Sequence, residues 1–435
     1  MKVGYKSEYG AVGFAAATTG ALLLVRQLKV ALAAIPVWAI LSRLIARGST
    51  NRARAVTVGS PKDAQSKARV VLHKDMTLKE RPLAVVTGTN SGIGYYTAVG
   101  LAVEGYVTVI TCRSRELAYK TASRIRTEAE KRRRAHPAKY ANYPETVVVE
   151  GEVLECDNFK TVRAFAKWFT EKYGNHNFQV LVNNAGGMVD SLKFSKHAPT
   201  LEHHTAVNFL GPLLLTDLLL PLLEKNGGRV VNVSSAAHRL PQYTLDGAKS
   251  LFIDGKVGAV GLVKGRLLET LKQLNQGDTK AAGPLAVRDV GTAFARYGTS
   301  KLLNIYHAHV IARRYLKAEE AHRVYACSLH PGCVASNFPN YLNAVPGLMT
   351  IYQTLGTLFL KTNEEGAQTT LHCALCPREE LELVVPVKGS GEETKVSPYF
   401  VECADKSTVS LLSYGWDVKE AEAIIDWGRK IVEKA

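Results

Sequence analysis

Short unbroken runs of apolar, β-branched residues recur along the chain, and each ends in small or polar residues. They are LAVVTG from Leu83, YVTVITCR from Tyr106, FQVLVNNAGG from Phe178, GGRVVNVSS from Gly227 and RVYACSLHPG from Arg323. A run without polar alternation suits a strand covered on both faces, as in a parallel sheet. Between these runs the period lengthens. FARYGTSKLLNIYHAHVIARRYL (294–316) carries the spacing of an amphipathic helix. Strands alternating with helices predict an α/β fold, a doubly wound parallel sheet. FLGPLLLTDLLLPLL (209–223) is nearly all apolar, but Asp217 and two prolines interrupt it. It is expected as a buried helix rather than a membrane span.

Two apolar blocks precede this pattern, YGAVGFAAATTGALLLV (9–25) and VALAAIPVWAILSRLIA (30–46). As a helix the first would be about 25 Å long, slightly less than a ~30 Å hydrocarbon core. The expectation is an N-terminal hydrophobic helical extension over 1–46 that anchors the chain in a membrane. An import segment and a buried extension of the soluble domain are the alternatives. Arg43, Arg47, Arg52 and Arg54 follow the apolar blocks, whereas only Lys2 and Lys6 precede them. That asymmetry keeps the large C-terminal part cytosolic. Residues 47–80, polar and turn-rich, are expected to be a linker.

Charge and cysteine content narrow the classes. The net charge is +16, and residues 1–62 hold nine Lys or Arg against one acid, Glu8. A second basic run, KRRRAHPAKY, lies at 131–140. No zinc finger, basic zipper or aromatic RNA motif accompanies these runs, so no nucleic-acid partner is expected. Anionic lipid and a phosphorylated cofactor account for the charge. The seven cysteines are an odd set in a 435-residue chain, not a disulfide framework. Cys373 and Cys376 form one C-x-x-C with no second pair, so they read as helix packing. His203 and His204 are adjacent, and His307 and His309 are two apart. Neither spacing puts both on one helix face, and no metal site is expected.

The first strand runs into GTNSGIG, with Gly88, Gly92 and Gly94, then a helix and the second strand. This Rossmann-like β–turn–α–β unit offers a helix N-terminus and backbone N–H groups to a pyrophosphate, through Gly88, Asn90, Ser91, Gly92, Ile93 and Gly94. Arg113 stands just past the second strand, and no acid occupies 111–115. An acid there would take a ribose 2′-hydroxyl, whereas an arginine takes a 2′-phosphate. NADP(H) is therefore expected rather than NAD(H). Asn184, Ala185 and Gly186, small residues at a strand's C-terminal end, let the backbone approach a ligand closely. Among 18 tyrosines only Tyr297 has a lysine, Lys301, four residues on. Helical spacing puts the two on one face.

Taken in order, TGTNSGIG, NNAG, the asparagine of TAVNFLGPLLLT, VNVSS, YGTSK and HPGCVAS resemble the short-chain dehydrogenase/reductase family over roughly 81–433, within an oxidoreductase domain expected over 81–435. VITCR, GAQTTLHCAL, YFVECADKSTVS and the final helix resemble its retinol-dehydrogenase-like branch. The resemblance implies a catalytic tetrad of Asn208, Ser235, Tyr297 and Lys301. Tyr297 would be the general acid/base. Its ordinary pKa is ~10, and Lys301 and the positive nicotinamide would lower it. Ser235, the second serine of its pair, would polarise the substrate oxygen. Asn208 would hold a water of a proton relay, and Lys301 would also reach the ribose. Glu155, where the family usually has aspartate, would lie at the adenine. Pro331, Gly332 and Val334 of the HPG loop would line the cofactor. Ser336 replaces the threonine usual after that loop.

Sixty-one residues separate Ser235 from Tyr297, more than the family usually has, so insertions are expected near 131–145 and 240–290. The second lies beside the substrate mouth, as a lid, a membrane-contacting flap, an oligomer contact or a plain surface insertion. The implied protein is an NADP(H)-dependent oxidoreductase of a hydrophobic alcohol, aldehyde or ketone, bound to membrane lipid and possible as a homo-oligomer. Its expected site is the endoplasmic reticulum, with a mitochondrial membrane as the alternative. A catalytically silent NADP(H)-binding subunit of a membrane complex is the competing function.

Overall fold

The computed structural model describes residues 72–189, 191–239, 267–277, 290–334, 360–386, 393–407 and 418–435. The apolar blocks at 9–25 and 30–46, Ser336, and all of the 240–290 insertion except 267–277 and 290 lie outside the described residues.

The first five apolar runs become the strands expected. They are β1 (Pro82–Val86), β2 (Val107–Cys112), β4 (Asn177–Asn183), β5 (Arg229–Val233) and β6 (Tyr325–His330), with β3 (Val149–Val153) at the edge. Every residue of β1, β2, β5 and β6 is buried, which is why these runs show no alternation. All six pair in parallel, in the order β3-β2-β1-β4-β5-β6. Two short strands follow β6 at that edge: β9 (Tyr399–Val401), parallel to it, and β10 (Ala404–Asp405), antiparallel to β9. A separate antiparallel hairpin joins β7 (Leu383–Pro386) to β8 (Glu393–Val396).

Helices cover both faces of the sheet. On one side α1 (Gly92–Val103), α2 (Arg115–Arg134) and α7 (Asn363–Leu375) pack Leu101, Ile125 and Leu371 against Val86, Ile110 and Val182. On the other lie α3 (Phe159–Tyr173), α4 (His203–Lys225), α6 (Val290–Arg314) and the C-terminal α8 (Val418–Lys434). Apolar enough to cross a membrane, α4 instead buries Leu210, Leu213, Leu219 and Leu223 inside the protein. After one α turn it widens into a π segment, Ala206–Leu210, before continuing as α-helix. A π segment inside a helix is frequently a functional site, and this one carries Asn208.

The two insertions differ in character. At 131–145 the basic run is fixed architecture. Arg133 is buried and donates to the carbonyls of Val103, Ala102 and Pro144. Arg132 pairs with Glu128 and Glu364. Within the second insertion, α5 (Leu267–Leu274) packs Leu267, Leu271 and Leu274 into the core, and Leu267 N–H donates to Glu420 of α8 at 2.9 Å. Of the expected linker, residues 72–80 are docked on the domain: Asn177 N–H donates to the Lys79 carbonyl at 3.0 Å.

Strand order reverses between β1 and β4, so the chain leaves those neighbours in opposite directions. A crevice opens there at the strands' carboxyl ends, where open α/β sheets bind ligands.

Candidate active site

The turn after β1 and the turn after β4 face each other across this crevice and are tied together. Asn184 Nδ2 donates to the carbonyls of Thr87 (2.8 Å) and Gly88 (3.1 Å). Thr87 Oγ1 accepts from the N–H groups of Asn184 (3.0 Å) and Ala185 (2.9 Å). Gly94 is required by this closeness: a Cβ there would stand 2.3 Å from Asn184 Nδ2 and 2.5 Å from the Gly88 carbonyl. Gly88 and Gly92 take φ values of 69° and 67°, a region that favours glycine. Ser91 is the N-cap of α1, but its side chain bonds none of the first-turn N–H groups. Those donors face the turn unclaimed by a cap, next to Gly92, around which a Cβ would meet nothing nearer than 3.8 Å. An uncapped N-terminus beside an open cradle fits a pyrophosphate.

The remaining cofactor candidates are held as follows. Asn90 Nδ2 lies 3.5 Å from Ser91 Oγ. Ile93 and Val334 converge over Gly366 at the start of α7. Pro331 and Gly332 lead to Val334, which bridges to Lys361. Arg113 is exposed at the end of β2. Glu155 Oε2 lies 3.4 Å from His197 Nε2, and the Glu155 N–H donates to Thr161 Oγ1 at 3.0 Å.

Four elements bring the tetrad together. Asn208, fully buried in the π segment, grips Gly187: its Oδ1 accepts from the N–H at 2.9 Å and its Nδ2 donates to the carbonyl at 3.0 Å. The same Nδ2 lies 2.9 Å from Ser300 Oγ, which donates to the Tyr297 carbonyl. Tyr297 and Lys301 share one face of α6, with Lys301 Nζ 5.7 Å from the ring centroid. Lys301 Nζ donates to the Val233 carbonyl at the end of β5. Gly186 completes the cluster, since a Cβ there would lie 3.0 Å from Asn208 Oδ1 and 3.1 Å from Lys301 Nζ.

The two serines after β5 play different parts. Ser234 Oγ is buried and donates to the Lys301 carbonyl at 2.7 Å, fastening α6 to the sheet. Ser235 is partly exposed, and its side chain hydrogen bonds Tyr297.

Burial pushes the Tyr297 phenol above its ordinary range, and its hydrogen bond with Ser235 draws it only partway back. Burial brings the Lys301 ammonium down to about 8, against the opposing pull of the Cys156 thiol. The expectation that Lys301 and the positive nicotinamide lower Tyr297 concerns the cofactor-bound site; in the chain by itself desolvation dominates for both groups, because both are buried and the ammonium is turned to Val233.

Sequence reasoning passed over the wall behind Tyr297. His204 packs edge-on to the tyrosine ring, with centroids 6.0 Å apart. The Val189 N–H donates to His204 Nε2 at 3.0 Å, so Nδ1 carries the proton that goes to Glu202 Oε1 at 2.6 Å. Glu202 is fully buried, accepts from Thr205 N–H and Oγ1, and has Arg296 Nε at 3.9 Å. Burial works to raise the Glu202 carboxyl, but His204 and the backbone donors outweigh it and hold it below its ordinary value. From the insertion, Asn275 Oδ1 accepts the Glu202 N–H at 2.9 Å. The described part of the insertion is thus a buttress, linked to the tyrosine through Glu202 and His204. The only signal in the sequence was the string LEHHT, whose burial no local pattern reveals.

This fold and site define a dinucleotide-binding α/β oxidoreductase. A family profile described as short chain dehydrogenase matches residues 82–247. Retinol dehydrogenase 11 of Homo sapiens is 33% identical over 294 residues, 67% of this chain and 72% of that protein. Retinol dehydrogenase 12 of Bos taurus is 33% identical over 322 residues, covering 74% and 78%. Dehydrogenase/reductase SDR family member 13 of Bos taurus is 33% identical over 296 residues, covering 67% and 62%. The chain belongs to the short-chain dehydrogenase/reductase family, in its retinol-dehydrogenase-like branch. It is an oxidoreductase that acts on CH–OH groups with a nicotinamide cofactor.

Proposed function

We propose that this chain is a membrane-associated, NADP(H)-dependent oxidoreductase that interconverts a hydrophobic alcohol with its aldehyde or ketone, and that Tyr297 is its general acid/base. The observation that carries the reading is the Ser235–Tyr297 hydrogen bond, set beside Lys301 and Asn208 at the mouth of the crevice. When bound, the nicotinamide supplies or accepts the hydride. Residues 88–94 and the first turn of α1 would hold its pyrophosphate, and Arg113, exposed past β2, would take a 2′-phosphate.

The substrate oxygen lies against Ser235 Oγ and the Tyr297 hydroxyl. Tyr297 is a neutral phenol at physiological pH, since its ordinary pKa is ~10 and burial raises it further. It therefore starts as the proton donor that carbonyl reduction requires, and Ser235 polarises the same oxygen. The phenolate left behind is stabilised by the Lys301 ammonium. Asn208, next to Lys301 across Gly186, would hold a water through which the replacement proton reaches the site. The preference for NADP(H) favours reduction as the working direction.

The apolar blocks at 9–46 motivate a lipid-like substrate, a retinoid, steroid or fatty aldehyde, reached from the cytosolic face of the endoplasmic reticulum. The named retinol dehydrogenases are consistent with that class. The experiment is steady-state turnover with NADPH and carbonyls of graded chain length. Turnover that rises with chain length, and disappears in Tyr297→Phe with cofactor affinity kept, is the expected result. Bound cofactor without turnover on any substrate, or a fully active Tyr297→Phe, refutes the reading. Arg113→Gln should raise the KM for NADPH at least tenfold and leave NADH unaffected.

A further inference from the structure

The far end of α7 carries a side-chain cluster that the reaction does not use. His372 and Cys376 are four residues apart, so they project from one side of the helix's last turn. Glu380 follows in the 3₁₀ turn Arg378–Leu381. The His372 Nε2 atom lies 3.1 Å from Glu380 Oε2. One donor atom from each residue, an imidazole nitrogen, a thiol sulfur and a carboxylate oxygen, falls within 4.8 Å of the other two. His372 and Cys376 are buried, whereas the Glu380 side chain is 45% exposed and opens the cluster to solvent.

We propose that His372, Cys376 and Glu380 form a binding site for a borderline divalent metal ion, with Zn²⁺ the best match. Nitrogen, sulfur and carboxylate oxygen are the three donor types that Zn²⁺ takes, and a tetrahedral ion held by three of them keeps one position for water. Ligands at about 2.0–2.3 Å from a tetrahedral ion lie roughly 3.3–3.8 Å from one another. The cluster is that size after a contraction of about 1 Å, within reach of side-chain rotation.

The surroundings suit a cation. The carbonyl end of a helix attracts positive charge, and α7 ends here. The ring of His372 packs edge-on to Phe400, with centroids 5.2 Å apart, which fixes its orientation. Arg229 Nη1 donates to the carbonyls of Cys373 (3.2 Å) and Cys376 (2.8 Å) and stands 3.8 Å from Cys376 Sγ. Burial pushes the Cys376 thiol up, and the Arg229 charge, which opposes a dication, works against that rise in favour of the thiolate that the metal needs. Thiolate and carboxylate together balance the ion's two charges. On binding, the Cys376 thiol gives its proton to solvent as the sulfur–metal bond forms, and no electron moves. The ion ties the end of α7 to the turn that leads into β7.

The test uses the full chain, stripped with a chelator and titrated with Co²⁺, whose thiolate ligation gives a charge-transfer absorption in the near ultraviolet. The expected result is saturation at one ion per chain and displacement by Zn²⁺. Cys376→Ser should remove the absorption. Glu380→Gln, at a half-exposed position that the fold tolerates, should weaken binding tenfold or more. Cys333→Ser, which deletes the exposed thiol, should change nothing. Non-saturable binding, an absorption that survives Cys376→Ser, or one lost with Cys333→Ser overturns the site.

Discussion

Replacing Lys301 with methionine should separate stability from activity. The side chain is buried, and burial lowers its ammonium from 10.5 to about 8. That drop corresponds to a cost of roughly 3 kcal/mol for holding the charged form in the fold. Methionine keeps the length and apolar contacts of lysine without the charge. The substitution also removes the hydrogen bond to the Val233 carbonyl, about 1–2 kcal/mol. The carbonyl itself is not stranded, because Asn304 Nδ2 also donates to it, at 3.3 Å. The balance is a variant about 1–2 kcal/mol more stable than the parent at pH 7, with turnover reduced at least a hundredfold. The sign follows from linkage: the unfolded chain binds the proton more tightly, so the parent is penalised fully below pH 8. The penalty fades as pH rises through 10.5, and the variant's advantage should shrink over that interval. Urea unfolding at pH 7, 9 and 10.5, beside NADPH turnover, measures both quantities. A variant less stable than the parent at pH 7 would refute the claim that desolvation dominates at Lys301. Retained turnover would remove the lysine from the mechanism.

Other consequences are open to direct measurement. Carbonyl reduction should hold steady through neutral pH and fall above about pH 8, as the Lys301 ammonium deprotonates; a rate that climbs from pH 8 to 9 contradicts that role. Gly94→Ala places a methyl group 2.3 Å from Asn184 Nδ2 and should abolish cofactor binding, read by NADPH fluorescence, while Gly187→Ala, with open space around its Cβ, should spare it. Asn275→Ala strands the buried Glu202 N–H and should cost about 1–3 kcal/mol in urea unfolding. Because that contact feeds the wall behind Tyr297, its kcat should fall as well; an unchanged kcat would confine the insertion to a structural part. His204→Ala should cost about 3–5 kcal/mol, since it removes a main partner of the buried Glu202 carboxylate.

The sequence by itself determined the sheet, the crevice and the residues that meet there. An unbroken run of apolar, β-branched residues such as LAVVTG suits a strand covered on both faces, and the glycines after it permit the φ values and close approach the turn shows. The spacing of Tyr297 and Lys301 already put them on one helix face, because helical geometry is local. Tertiary structure decided what depends on burial and on distant partners. Ser234 and Ser235 are neighbours in sequence, yet one fastens a helix and the other meets the tyrosine, because successive positions leaving a strand point to opposite sides. Of the basic run at 131–140, Arg133 alone is sealed inside, by three carbonyls, which its sequence neighbours, mostly exposed, give no sign of. The burial of His204 could not be read from LEHHT, since a buried imidazole and an exposed one are spelled alike. Whether Lys301 lowers the tyrosine or is itself lowered turned on desolvation, an energy set by everything packed around a group and by nothing in its immediate sequence.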